Sequence, residues 1–169
     1  MDIFCEYIIK KKPTIKDRVK QVGIILLAIL LSEIFLILNN MLFGMGFILV
    51  VAVIYGAVFL FKKTNIEYEY ILTNSILDID KIFAKSTRKR AESIDFKSVE
   101  AFGRASEAPN SPATEIDYAG DINADNVFFI EFFKDGQKKR VFFQPNEKIL
   151  VGLHKIAPKL VPAYEDVIK

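Results

Sequence analysis

The sequence predicts an α+β membrane protein: a transmembrane helical hairpin, then an antiparallel β domain of about seven strands, then one closing α-helix. Three observations predict it. Two long apolar runs, Val22–Leu38 and Met41–Phe61, stand almost back to back, with only Asn39 and Asn40 between them. After Lys63 the apolar spacing changes from helical to alternating, and turn residues separate the alternating stretches. Near the C-terminus, Ile149, Leu150, Leu153, Ile156, Ala157 and Leu160 make an apolar stripe at helical spacing.

Residues 1–21 form a basic N-terminal segment, in which six Lys/Arg outweigh Asp2, Glu6 and Asp17. Within it, Asp2–Lys12 mixes Ile3, Phe4, Tyr7, Ile8 and Ile9 with lysines, and Phe4, Ile8 and Ile9 suit a short helix on the membrane surface. Pro13 breaks that helix. Thr14 with Asp17 then predicts a capping box, so the first membrane helix begins near Ile15. Cys5 is the only cysteine, which excludes a disulfide framework or a cysteine-based metal cage within one chain.

Residues 22–61 are the hairpin. At about 1.5 Å per residue the runs span roughly 26 and 32 Å, close to a hydrocarbon core of about 30 Å. Ser32-Glu33-Ile34-Phe35 offers no small-x-small cleavage site and a second span follows at once, so the first run is not a signal peptide. Lysines and Arg18 precede the first run, Lys62 and Lys63 follow the second, and the link carries no charge. The positive-inside rule therefore places both termini in the cytoplasm of a multi-pass plasma-membrane protein. Glu33 is the one ionisable group in the spans. It reads either as an ion or proton site, which would suit an accessory subunit of a transporter, or as a carboxylate near the outer end that reaches the interface beside Gly44 and Gly46. The second reading is favoured. Ala52 and Gly56 form a small-xxx-small pair, a weak signal of helix contact.

Residues 64–162 form the β domain. Ile66–Leu72 and Ile76–Phe83 alternate around Thr73-Asn74-Ser75, which puts Tyr70, Leu72, Leu77 and Ile79 on one side. Glu67, Glu69, Asp78 and Asp80 fall on the other, as a solvated face. Arg88–Phe96 and Ser98–Gly103 follow as strands, with Ile94 and Phe96 facing inward, and a turn at Ser86-Thr87 would set Lys81 opposite Glu92. Ala105–Asp125 is a loop with five carboxylates and no base, strand-like only at Glu115–Ala119. Val127–Lys134 and Gln137–Gln144 then form the strongest hairpin, turning on Asp135-Gly136. Its register opposes Glu131 with Arg140 and Phe129 with Phe142. Phe128, Ile130, Phe132, Val141 and Phe143 take the core face, while Phe129, Phe133 and Phe142 surround the ion pair on the outer face. Pro145-Asn146-Glu147 starts the final helix.

Seven successive strands and a terminal amphipathic helix behind a two-helix hairpin resemble the small bacterial two-helix membrane proteins with a C-terminal pleckstrin-homology-like (PH-like) domain. Glu67-Tyr68-Glu69-Tyr70 through Leu77-Asp78-Ile79-Asp80-Lys81 is similar to the opening hairpin of such domains, and Val141-Phe142-Phe143-Gln144-Pro145-Asn146 to their close. Tyr7-Ile8-Ile9-Lys10-Lys11-Lys12 is similar to the N-termini of such membrane proteins from spore-forming bacteria. The resemblance implies a split β-barrel closed at one end by the helix. Phosphoinositide-binding members use basic residues on a long first loop; here that loop is Thr73-Asn74-Ser75, short and uncharged.

For function, the segment from Lys62 onward carries equal numbers of acids and bases, which argues against nucleic-acid binding. No nucleophile elbow, glycine-rich phosphate loop or zinc motif occurs, and the lone His154 sits at the edge of the helix stripe, so no enzyme, cofactor or metal is expected. Phe129, Phe133 and Phe142 are the candidate interface for a protein partner or a second copy, unless the Ala105–Asp125 loop covers them. Lys85, Arg88, Lys89 and Arg90 are candidate contacts for anionic lipid, unless neighbouring carboxylates offset them. The leading expectation is a cytoplasm-facing membrane adaptor, with lipid sensing as the alternative.

Overall fold

The computed structural model describes residues 3–163. These group into two compact units, one made of both long helices with the Phe83–Ser86 turn and one made of the sheets with the last helix.

In the helical unit, α1 spans Ile15–Ile37 and α2 spans Gly46–Lys63. Thr14 caps α1 as expected: its Oγ1 accepts the Asp17 N–H at 3.3 Å, and Asp17 Oδ2 accepts the Thr14 N–H at 3.1 Å. With 23 and 18 residues, the helices are about 35 and 27 Å long, long and apolar enough to cross a membrane. The second helix begins later than its apolar run. Residues 38–45 form the turn, with Phe43 and Gly44 in left-handed conformations at φ 51° and 85°. Gly46 opens α2 where a Cβ would lie 2.4 Å from the Phe35 carbonyl oxygen, so the crossing needs a glycine. At the opposite end of the hairpin, Gln21 Nε2 donates to Thr64 Oγ1 at 2.8 Å. Beside it, the Ala84 N–H donates to the Asn65 carbonyl at 3.1 Å, tying the Phe83–Ser86 turn to the end of α2.

The sheet unit holds two four-stranded sheets. The first, in order β1-β2-β3-β4, uses Phe4–Lys10, Ile66–Thr73, Ile76–Phe83 and Thr87–Asp95. β1 corrects the expectation of a surface helix. Cys5, Tyr7 and Ile9 oppose Leu72, Tyr70 and Tyr68, a two-residue period that the neighbouring strand rewards with burial. The described strands therefore number eight, against about seven expected, and the N-terminal segment belongs partly to the β domain. The second sheet runs β5-β7-β8-β6, from Val99–Arg104, Thr114–Asp117, Phe128–Lys134 and Gln137–Phe143. β6 runs parallel to β8, so the sheet is mixed and not wholly antiparallel; a chain that loops across the sheet returns in the same direction.

The core lies between the sheets. Tyr70, Leu72, Leu77, Ile79, Ile94 and Phe96 meet Ile130, Val141 and Phe143, all at most 2% exposed. Tyr70 joins the halves: its ring meets Phe143 edge-on at 5.7 Å, its hydroxyl donates to the Tyr118 carbonyl at 2.7 Å, and it accepts the Gln144 N–H at 3.2 Å. α3, Glu147–Ile156, starts on the Asn146 cap and lays Ile149, Leu150 and Leu153 into this core. Gly152 sits where a Cβ would meet Leu72 at 2.6 Å, so α3 approaches the first sheet closely.

Candidate functional site

The β7–β8 hairpin has the register read from the sequence: Glu131 opposes Arg140, Phe129 opposes Phe142 and Lys134 opposes Gln137, around Asp135 and Gly136 in left-handed conformations. Its outer face is partly covered. Phe129 is 4% exposed, its ring packed where Gly103 of β5 leaves room, and Phe142 is half-buried and lines a 660 Å³ opening with the 104–127 segment. Phe133 alone of the three is exposed, at 55%. The three phenylalanines therefore form no continuous surface.

The ion pair beneath that cover is a hub. Arg140 donates to Glu131 through Nε at 2.7 Å and Nη2 at 2.5 Å, to Glu115 at 2.7 Å, to Ser111 Oγ at 2.9 Å and to the Pro109 carbonyl. Lys138 adds a second cation to Glu131 at 2.7 Å. Burial alone would raise the Glu131 carboxyl, but the hydrogen bonds from Lys138 and Arg140 prevail and hold it below its usual range. The loop supplies three of the four residues that accept from Arg140. It is a structural clamp, with every donor turned inward.

On the first sheet the expected solvated acidic face is partly buried. Glu69 is 0% and Asp80 8% exposed, because β4 lays two arginines over them. Arg88 lies 3.1 Å from Glu69; Arg90 meets Asp78 at 2.5 Å and also pairs with Asp80. Desolvation, with the nearby Glu6 carboxyl, outweighs Arg88 and raises the Glu69 carboxyl above its usual range. Two of the four candidate lipid-binding bases are thus engaged within the domain. Lys85 occupies the Phe83–Ser86 turn, where Ala84 and Lys85 both take left-handed conformations at φ 53° and 58°. Lys89 is exposed on β4. Glu92 is buried and pairs with Lys134 and, at 3.6 Å, with Lys139, while Lys81 rests 5.1 Å from the Tyr118 ring.

Glu33 lines a shallow groove of 360 Å³ between α1 and α2 with Ala28, Ser32, Ile54 and Ala57, and is exposed at the protein surface. Gly46 is filled by Phe35 and Asn39 and makes no room for it. A Cβ on Gly56 would meet nothing within 4 Å, so the Ala52–Gly56 pair is no tight contact inside the hairpin. His154 bonds through Nδ1 to the Val161 carbonyl at 2.8 Å, a structural tie at the end of α3.

Sequence reasoning missed the opening beside β1. Ile3, Phe4 and Cys5 face Val151 and Gly152 of α3 across a groove of 570 Å³, with Lys148 and Lys155 on its rim. β1 is the edge of its sheet, and Phe4 is 67% and Ile8 44% exposed there. The signal was present as alternation in Phe4–Lys10, obscured by its three adjacent apolar residues Tyr7, Ile8 and Ile9.

No curated protein and no solved structure matches the chain. A family model described as Bacterial PH-like domain (DUF6106) matches residues 1–162, which take in the hairpin as well as both sheets and α3. An N-terminal strand, two long apolar helices, a sheet-rich region and a closing helix accordingly make one family unit, and the chain belongs to the bacterial PH-like domain family.

Proposed function

We propose that the protein is a non-enzymatic adaptor, anchored in the plasma membrane by the α1–α2 hairpin and presenting its PH-like domain to a cytoplasmic protein partner. The pairing of β1 with β2 supports a common side for both ends of the hairpin, since α1 follows one strand and α2 precedes its neighbour. The basic residues flanking the helices favour the cytoplasm as that side.

The observation that carries the adaptor reading is the groove between the β1 edge and α3. An edge strand offers unpaired N–H and C=O groups to an extended segment, and exposed Phe4 with Val151 offers apolar anchorage beside them. Lys148 and Lys155 suit a partner segment carrying acidic residues. On the second sheet, exposed Phe133 offers a secondary contact, while Phe129 acts inside the fold.

The test is crosslinking in native membranes from a photoreactive residue at Val151 of the full chain. A discrete partner adduct, lost on Phe4→Asp and retained on Phe133→Ser, supports the reading. An adduct of twice the chain's own mass would make the partner a second copy. Unchanged adducts in Phe4→Asp would remove the groove from consideration.

A further inference from the structure

A second opening lies entirely within the helical unit, at the end of the hairpin where its two helices are clasped. Its volume is 540 Å³, and its lining is part apolar and part charged. Gly23, Ile24 and Leu27 of α1 and Leu60 of α2 make its apolar stretch, with Leu27 and Leu60 half exposed, and Lys20 and Lys63 supply its cations. One helical turn, about 6 Å, separates Lys20 from Ile24, and a further turn brings Leu27. A Cβ on Gly23 would meet nothing within 4 Å, so the missing side chain keeps the apolar part open.

The opening is preformed. Gln21 Nε2 donates to Thr64 Oγ1 at 2.8 Å, and that hydroxyl donates to the Phe61 carbonyl at 2.7 Å, which fixes the spacing of the two helices. Asp17 also reaches the opening, but its carboxylate accepts the Thr14 N–H at 3.1 Å and the Thr14 hydroxyl at 2.9 Å. Lys63 Nζ rests 4.3 Å from the Phe59 ring centre. Lys62 flanks the opening in sequence, and Lys85 lies on the turn bonded to Asn65. The groove that holds Glu33, by contrast, has no base along it.

Cationic groups above an aliphatic cleft, at the level where a membrane helix meets its interface, match one ligand shape. We propose that this end of the hairpin is a binding site for a single anionic glycerophospholipid. Lys20 and Lys63 bind its phosphate, and one acyl chain lies along Gly23, Ile24, Leu27 and Leu60. The site rests on the reading that the hairpin spans the membrane. It differs from a contact through Lys85–Arg90, because it needs both an acyl chain and a phosphate.

Two lysines set against the Asp17 carboxylate leave one net positive charge, which predicts a preference of about 5-fold for anionic over zwitterionic lipid. The test uses the full chain extracted in mild detergent, offered phosphatidylglycerol or phosphatidylcholine, with bound lipid counted by native mass spectrometry. One phosphatidylglycerol retained per chain, reduced about 5-fold in Lys20→Gln/Lys63→Gln and displaced in Gly23→Leu, is the expected result. Gly23→Leu keeps every charge and enters open space, so it separates loss of the cleft from loss of folding. Equal retention of both lipids, or unchanged retention in both variants, would overturn the site. So would displacement by inorganic phosphate together with retention in Gly23→Leu, which would assign the lysines to a free anion. Alkaline carbonate extraction separates the two layers of inference: release of the chain from membranes would overturn the anchor itself, whereas a resistant chain that retains no anionic lipid would overturn only the site.

Discussion

The outer faces of the two sheets each bury a carboxylate, and they treat it in opposite ways. On the second sheet, Glu131 is 1% exposed and has Arg140 at 2.5 Å and Lys138 at 2.7 Å, with the loop's Ser111, Pro109 and Glu115 completing the guanidinium. Its charged form is favoured. On the first sheet, Glu69 is 0% exposed with Arg88 beside it at 3.1 Å, yet neither of its oxygens has a hydrogen bond of good geometry. Its charged form is disfavoured. Both are buried; Glu131 has two cations aimed at it, whereas Glu69 has one arginine set against the Glu6 and Asp80 carboxyls, and that balance decides the sign.

Four substitutions test this contrast. The largest effect is expected from Arg140→Met, which strands Glu131 beneath its loop and leaves Lys138 as its cation; a loss of about 3 kcal/mol is expected in thermal or denaturant unfolding of the full chain in detergent. Gly103→Ala probes the cover. A Cβ there would lie 2.9 Å from the Phe129 ring, so the ring must shift, at a cost of about 1–2 kcal/mol.

Glu69→Gln should act in the opposite direction, because the folded state binds the Glu69 proton more tightly than the unfolded chain does. With the folded value raised, stability is fully present below the unfolded value of about 4.3 and falls as pH rises through the folded one. The amide should therefore raise stability at neutral pH by about 1 kcal/mol or less and flatten this part of the pH profile. A neutral-pH loss as large as that of Arg140→Met would erase the distinction between the faces. The smallest effect is expected at Lys85→Gly. It relieves a left-handed lysine at φ 58° and should gain a few tenths of a kcal/mol, in contrast to the Asp135-Gly136 turn, which already has its glycine.

What the sequence disclosed follows the range of the interactions involved. Asp135-Gly136 and the alternation on either side carried the complete β7–β8 register, because a two-residue turn leaves no freedom in pairing. Thr14 and Asp17 located the start of α1 for the same local reason. The burial of the acidic face has no local signal, because Arg88 and Arg90 reach Glu69, Asp78 and Asp80 across strands. The aromatic patch was split because its cover, Gly103 and the loop beyond it, is set by the way the chain crosses the sheet. Phe4–Lys10 was ambiguous in itself, since three consecutive apolar residues fit both a helix face and an alternating strand; the neighbour that settles it, β2, lies beyond the whole hairpin.

That separation has a consequence for how the protein is made. Lys10 pairs with Glu67, and everything between them is α1, α2 and their turn. The first strand leaves the ribosome before either helix and waits for its neighbour until both have followed. If the hairpin is inserted by the membrane machinery during synthesis, insertion itself brings the two strands together, replacing a search by a long flexible loop with a rigid out-and-back path. A fragment starting at Thr64 lacks β1, and with it the partner of Tyr68, Tyr70 and Leu72. Expression of the β domain without its N-terminus should therefore give an aggregation-prone product, and joining residues 3–12 to residue 65 by a short soluble linker should restore it.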